Sequence, residues 1–127
     1  MLIDNVRLGQ QSRDQLIRLK RITGIDNWNV LCRWALCLSL ADKNLPPRLR
    51  QSGDAAVEMT WKTFAGEQAD VYLALLTQRA HEEVRQASRE VLSELARVHI
   101  IRGIGFLTAR RQMSGVSDLL EIASNPR

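Results

Sequence analysis

The chain has 127 residues, 45% of them apolar, with 18 Lys and Arg against 14 Asp and Glu. That length argues for a single domain over residues 1–127, and the lack of any run of about 18 apolar residues excludes a helical membrane span. Charge is unevenly spread: net +5 over residues 1–50, −4 over 51–96 and +3 over 97–127, with 15 of the 18 basic residues arginine. Basic ends around an acidic middle predict a surface that faces a polyanion, and arginine forks match phosphate oxygens in a bidentate way that lysine does not.

In chain order, IDNVRL (residues 3–8) sets Val6 and Leu8 against Asn5 and Arg7, which predicts a short strand or extended arm. Ser12 then opens S-R-D-Q, a capping box with Gln15. The helix it starts runs to about Thr23, with Leu16, Leu19 and Ile22 inward and Arg13, Arg18, Lys20 and Arg21 outward. Gly24 stops it, because glycine tolerates the left-handed cap.

Asp26 or Asn27 is placed to cap the next helix, WNVLCRWALCLSLA, residues 28–41. This helix is apolar nearly all round, so it is either the centre of the core or an oligomer interface. The shortness of the chain favours self-association. Pro46, Pro47 and Gly53 make the following stretch a loop carrying Arg48 and Arg50. VEMTWKT, residues 57–63, alternates apolar and polar, which predicts a short strand or an extended arm, and is ended by Gly66. A helix from about Glu67 to Ala80 follows, with Val71, Tyr72, Leu75 and Leu76 on one face. It either continues through HEEVRQ or pauses there. Ser88 caps a fresh helix with Val91, Leu92, Leu95 and Val98 inward, and Ser117 caps a short last one. The expected fold is mainly α, a small helical domain with one or two extended segments.

Strand, helix, glycine turn and helix in the first 41 residues match the order of a ribbon-helix-helix unit, in which strands pair between two chains. An ordinary helical hairpin with a free arm has the same order. In the first case Asn5 and Arg7 would read the DNA major groove. The outward basic residues of the first helix suit DNA phosphates, although a solvated helix face has the same composition. Cys32 and Cys37 are expected to be buried, reduced core residues, since a zinc site lacks its other ligands. His81-Glu82-Glu83 reads as an exposed charged cluster, and His99 as a packed, hydrogen-bonded histidine. Neither a phosphate-binding loop nor a metalloprotease motif occurs, and no nucleophile–base pair can be assembled from spacing. An enzyme is therefore the weaker class, and no metal or cofactor is expected. In HIIRGIGFL, residues 99–107, the glycines either break a helix, cradle a phosphate or permit a tight helix crossing. Ile104, Phe106 and Leu107 favour the crossing.

The HIIRGIGFL block, together with RLGQQSRDQLIRLKRITGI, NVLCRWALCLSL and TFAGEQADVYLALLTQR, resembles the DndE family of the DNA sulfur-modification, or phosphorothioation, system. The likeness spans residue 3 to about residue 120. It marks His99, Arg102, Gly103 and Gly105 as family positions. It implies a homotetramer with a ribbon-helix-helix-like element and basic faces that bind duplex DNA, nicked DNA above all. It also implies partner proteins: a cysteine desulfurase, an iron–sulfur sulfurtransferase-like protein and an ATPase. The candidate DNA contacts are Arg7, Arg13, Arg18, Lys20, Arg21, Arg48 and Arg50. The N-terminus lacks the order of a signal peptide, so a cytoplasmic location is expected. A ribbon-helix-helix regulator of a palindromic operator, and a nuclease that makes the nick, are the competing readings.

Overall fold

A computed structural model of the chain describes residues 3–47, 55–109 and 115–124. The order is β1 (Asn5–Leu8), α1 (Gln10–Thr23), α2 (Trp28–Ala41), β2 (Val57–Thr60), α3 (Trp61–Ala65), a 3-10 turn (Gly66–Gln68), α4 (Ala69–Glu83), α5 (Arg89–Thr108) and α6 (Val116–Ser124). The protein is mainly helical, with one two-stranded ribbon.

β1 finds its partner inside the same chain. It pairs antiparallel with β2, Val6 opposite Met59 and Leu8 opposite Val57 on the core side, Asn5 opposite Thr60 and Arg7 opposite Glu58 on the other. The strand–helix–helix order expected of a ribbon-helix-helix unit is present, but the strand pairing expected between chains is made within one. β2 is shorter than the alternation of residues 57–63 implied. Thr60 accepts a hydrogen bond from the Thr63 amide and so caps α3 at the point where the strand stops.

α1 begins two residues before the predicted cap. Gly9 is its N-cap, extended and without a side-chain bond, so the capping box at Ser12 does not form. Ser12 is instead buried within the helix, and the Gln15 amide reaches across to the Thr108 hydroxyl of α5. The other end follows the sequence closely. Gly24 adopts the left-handed conformation at φ 75°, and its amide bonds Lys20 O.

α2 spans the predicted residues and packs most extensively on α5. Leu31, Cys32, Ala35, Leu36 and Ser39 are buried within one chain. This side of the apolar helix is thus the centre of the core, while Trp28, Val30, Trp34, Leu38 and Leu40 are half-buried. α5 has buried residues round most of its circumference because it meets α2, α1, α4 and β1. Ser88 caps it by accepting from the Val91 amide, as predicted. The helix then runs unbroken through Gly103 and Gly105.

α4 ends at Glu83, and Arg85 then takes a left-handed conformation, φ 60°. That answers whether the helix runs on through residues 81–86. Its inward face differs from the expectation. Leu76, Arg79 and Ala80 point in, whereas Val71 and Leu75 are exposed. Each is displaced by about 100° from an inward neighbour, Tyr72 and Leu76, on the helical wheel. α6 starts at Val116, so Ser117 lies inside it rather than at its cap, and Leu119 and Ile122 are buried. No helix among the described residues is long and apolar enough to cross a membrane.

Candidate nucleic-acid interface and the polar network behind it

The burial of Ser12, Leu16, Leu19 and Thr23 sets how α1 is turned. At about 100° per residue this places Arg13, Arg18, Lys20 and Arg21 in one outward sector of about 160°. All four are exposed, and no described carboxylate is ion-paired with any of them. Ile17 and Asp14 share the sector. Lys20 and Arg21 occupy the last turn, beside carbonyls whose helix bonds have ended, where a cation is favourably placed against the helix dipole. The Arg13 guanidinium lies 5.9 Å from the centre of the Trp28 ring at the start of α2.

Arg7 is not part of this face. It stands on the ribbon, and its Nε lies 3.3 Å from Glu58 on the opposite strand, which offsets its charge. The cleft beside it, between β1 and the first half of α5, alternates signs in the same way. Arg89 pairs with Asp4, and Arg97 with Glu94. This cleft is polar but not basic. Arg48 and Arg50 lie outside the described residues.

The acidic middle segment supplies a group that sequence reasoning missed. Glu83 is a buried carboxylate, only 7% exposed, and not part of a solvated cluster with His81 and Glu82. It accepts from Arg79 Nε, and it lies 3.0 Å from His99 Nε2. Ser39 Oγ is 2.8 Å from His99 Nδ1 and also accepts from Arg102 Nε. An ionised carboxylate only accepts, so His99 carries its proton on Nε2, donates it to Glu83, and accepts a hydrogen bond from the Ser39 hydroxyl at Nδ1. Both ring nitrogens of His99 and the Ser39 hydroxyl are then satisfied.

The two arginines also close the C-terminal end of α2. Arg79 donates to Leu40 O and Asp42 O, and Arg102 to Ser39 O, Asp42 O and Asn44 O. The last turn of α2 has no basic residue of its own, so α4 and α5 deliver the cations that its freed carbonyls attract. Arg102 thus has the partners that a half-buried arginine needs.

Serine, histidine and glutamate in a row have the order of a hydrolytic triad. Here Ser39 and His99 are both 0% exposed, and the Ser39 oxygen is occupied by Arg102, so the row locks three helices together. The cysteines divide. Cys32 is buried, and burial pushes its thiol up to about 12. Cys37 is exposed, contrary to expectation, because it lies on the outer side of α2. Its sulfur is nonetheless partly shielded from water, which raises its pKa, and a hydrogen bond with Tyr72 lowers it in part. Neither is set up as a thiolate nucleophile. No group of three or more His, Cys, Asp or Glu among the described residues could hold a metal ion.

The network makes stability pH-dependent. Desolvation holds His99 below its ordinary value of 6.5, against the upward pull of its hydrogen bond and charge attraction to Glu83. Arg102 and Arg79 push it down further. The unfolded chain binds the proton more readily, so stability is whole above about pH 6.5 and declines as the pH falls below it. The urea midpoint should drop between about pH 7.5 and about pH 5, and H99Q should lose that part of the drop. Parallel pH profiles for the two proteins would rule out His99 as the cause.

The fold and its surface together define a small, mainly helical protein that displays one unpaired basic helix beside a two-stranded ribbon. The family model described as DNA sulphur modification protein DndE matches residues 5–115, and the chain belongs to that family. The crystal structure of DndE from Escherichia coli B7A, involved in DNA phosphorothioation modification, is 27% identical. It superposes with a TM-score of 0.69 over 84% of this chain and 98% of that one. A glycine-to-lysine mutant of DndE, also involved in DNA phosphorothioation, is 18% identical and shares the fold, with a TM-score of 0.59 over 83% and 99% of the two chains. No match is found among curated proteins.

Proposed function

We propose that the chain is a DNA-binding accessory subunit of DNA phosphorothioation, one that holds duplex DNA by its backbone and favours nicked duplex. The family match supports the link to phosphorothioation, and the observation that carries backbone binding is the outward face of α1: Arg13, Arg18, Lys20 and Arg21, exposed and without a described carboxylate partner. Cations so placed meet phosphates and release condensed counterions. In this reading the chain performs no bond chemistry. The sulfur transfer falls to its partners, a cysteine desulfurase, an iron–sulfur sulfurtransferase-like protein and an ATPase. A homotetramer would repeat the basic helix four times in one field. Operator readout by β1 has less support, because Arg7 is held by Glu58.

Reversing two charges tests it. The K20E/R21E variant should bind all duplex sequences more weakly than the wild type, in equal proportion. Its salt slope, log affinity against log salt, should be shallower by about two. Fluorescence anisotropy on nicked and intact duplexes across a salt series measures both. Unchanged affinity would remove α1 from the footprint.

A further inference from the structure

We infer that Trp28 is a base-stacking platform at the edge of the α1 face, and that its ligand is an unstacked nucleobase at a strand end or interruption. The inference rests on the α1 reading above. Arginines and lysines on phosphates hold an interrupted and a continuous duplex alike, because the backbone carries little to tell them apart. Discrimination needs a contact with something that only an interruption uncovers, and the flat face of a terminal base is that feature.

Trp28 is placed to meet it. As the first residue of α2 it is half-buried, with part of its indole packed against the core. Arg13, a member of the basic face, sits over the ring at 5.9 Å. The Arg13 guanidinium makes no hydrogen bond to a described residue, so it is free to swing from the ring to a phosphate and leave the indole open to a base. Three other rings are less suited. Trp61 and Phe64 are buried. Phe106 lies under Arg102, whose guanidinium is committed to Ser39 and Asn44. Packing already fixes the Trp28 ring, so stacking on it costs little side-chain entropy. Such stacking is sequence-tolerant, because every base has a flat face.

Affinities of wild type, W28L and W28F for an intact, covalently closed circular duplex, the same circle with a single nick and a duplex with a single-stranded overhang test the inference. W28L should lose about 5- to 150-fold on the nicked and overhang DNA. Its affinity for intact duplex and its salt slope should be unchanged, and W28F should recover most of the loss. In a W34F/W61F variant, where Trp28 alone emits, the overhang DNA should quench fluorescence and intact duplex should not. Equal losses on all three DNAs, no loss on any, or no quenching would overturn the role of Trp28 while leaving backbone binding by α1 intact. A wild-type protein that binds none of the three would overturn both.

Discussion

G103A should lower stability by about 3 kcal/mol or more, whereas G105A, two residues on in the same helix, should raise it by about 0.5–1 kcal/mol. A methyl group at Gly103 would lie 1.8 Å from the carbonyl oxygen of Ala35, with the Ala35 carbonyl carbon and Cα at 2.3 and 2.6 Å. All three are backbone or backbone-bound atoms of α2, so no side chain can swing aside. α2 and α5 must separate instead, and the most extensive helix contact in the protein loosens around the fully buried Leu36, Ile100 and Ile104. Alanine's better helix propensity offsets only about 1 kcal/mol of this. At Gly105 nothing lies within 4 Å of the added carbon, so propensity alone decides the sign. Urea midpoints at unchanged slope measure both effects. Equal behaviour of the two variants would disprove the close crossing at Gly103.

Removing the buried carboxylate should cost as much. E83A is expected to lose about 3–5 kcal/mol, the usual result of taking one partner from a buried ion pair. Arg79 would keep its bonds to Leu40 O and Asp42 O but leave Nε unmatched, and the His99 Nε2 proton would lose its acceptor. E83Q retains an acceptor of the same shape and should lose less, about 1–3 kcal/mol. A protein of this size has about 5–15 kcal/mol in total, so E83A brings the chain close to unfolding at ordinary temperature. The E83A/R79A double variant should be less destabilised than the sum of its singles, because each single strands the other charge. Additive losses, or an E83A loss under about 1 kcal/mol, would mean that the carboxylate does not hold the network together.

These two variants also mark where sequence reasoning runs out. The span of α2, the left-handed stop at Gly24, the cap at Ser88 and the outward turn of Arg13, Arg18, Lys20 and Arg21 were all readable. Each is written in residues within about one or two helical turns of one another, and apolar spacing and backbone freedom act over that range. The failures at Ser12 and Ser117 are also local. A serine ahead of a helix is a cap only if the helix starts there, and here α1 starts three residues earlier, with Ser12 buried inside it.

The rest was decided by contacts between distant parts of the chain. Nothing near β1 shows that its partner is β2, some fifty residues on, and so nothing near Arg7 shows that Glu58 will offset it. Glu83 looks like its acidic neighbours until α5 brings His99 against it. The bare carbonyls at the end of α2 are indistinguishable from any helix end until Arg79 and Arg102 arrive from α4 and α5. The pattern R-G-I-G holds two glycines of equal standing in sequence. Which of them is indispensable depends on the side of α5 that meets Ala35, and only the packing of the two helices determines that side.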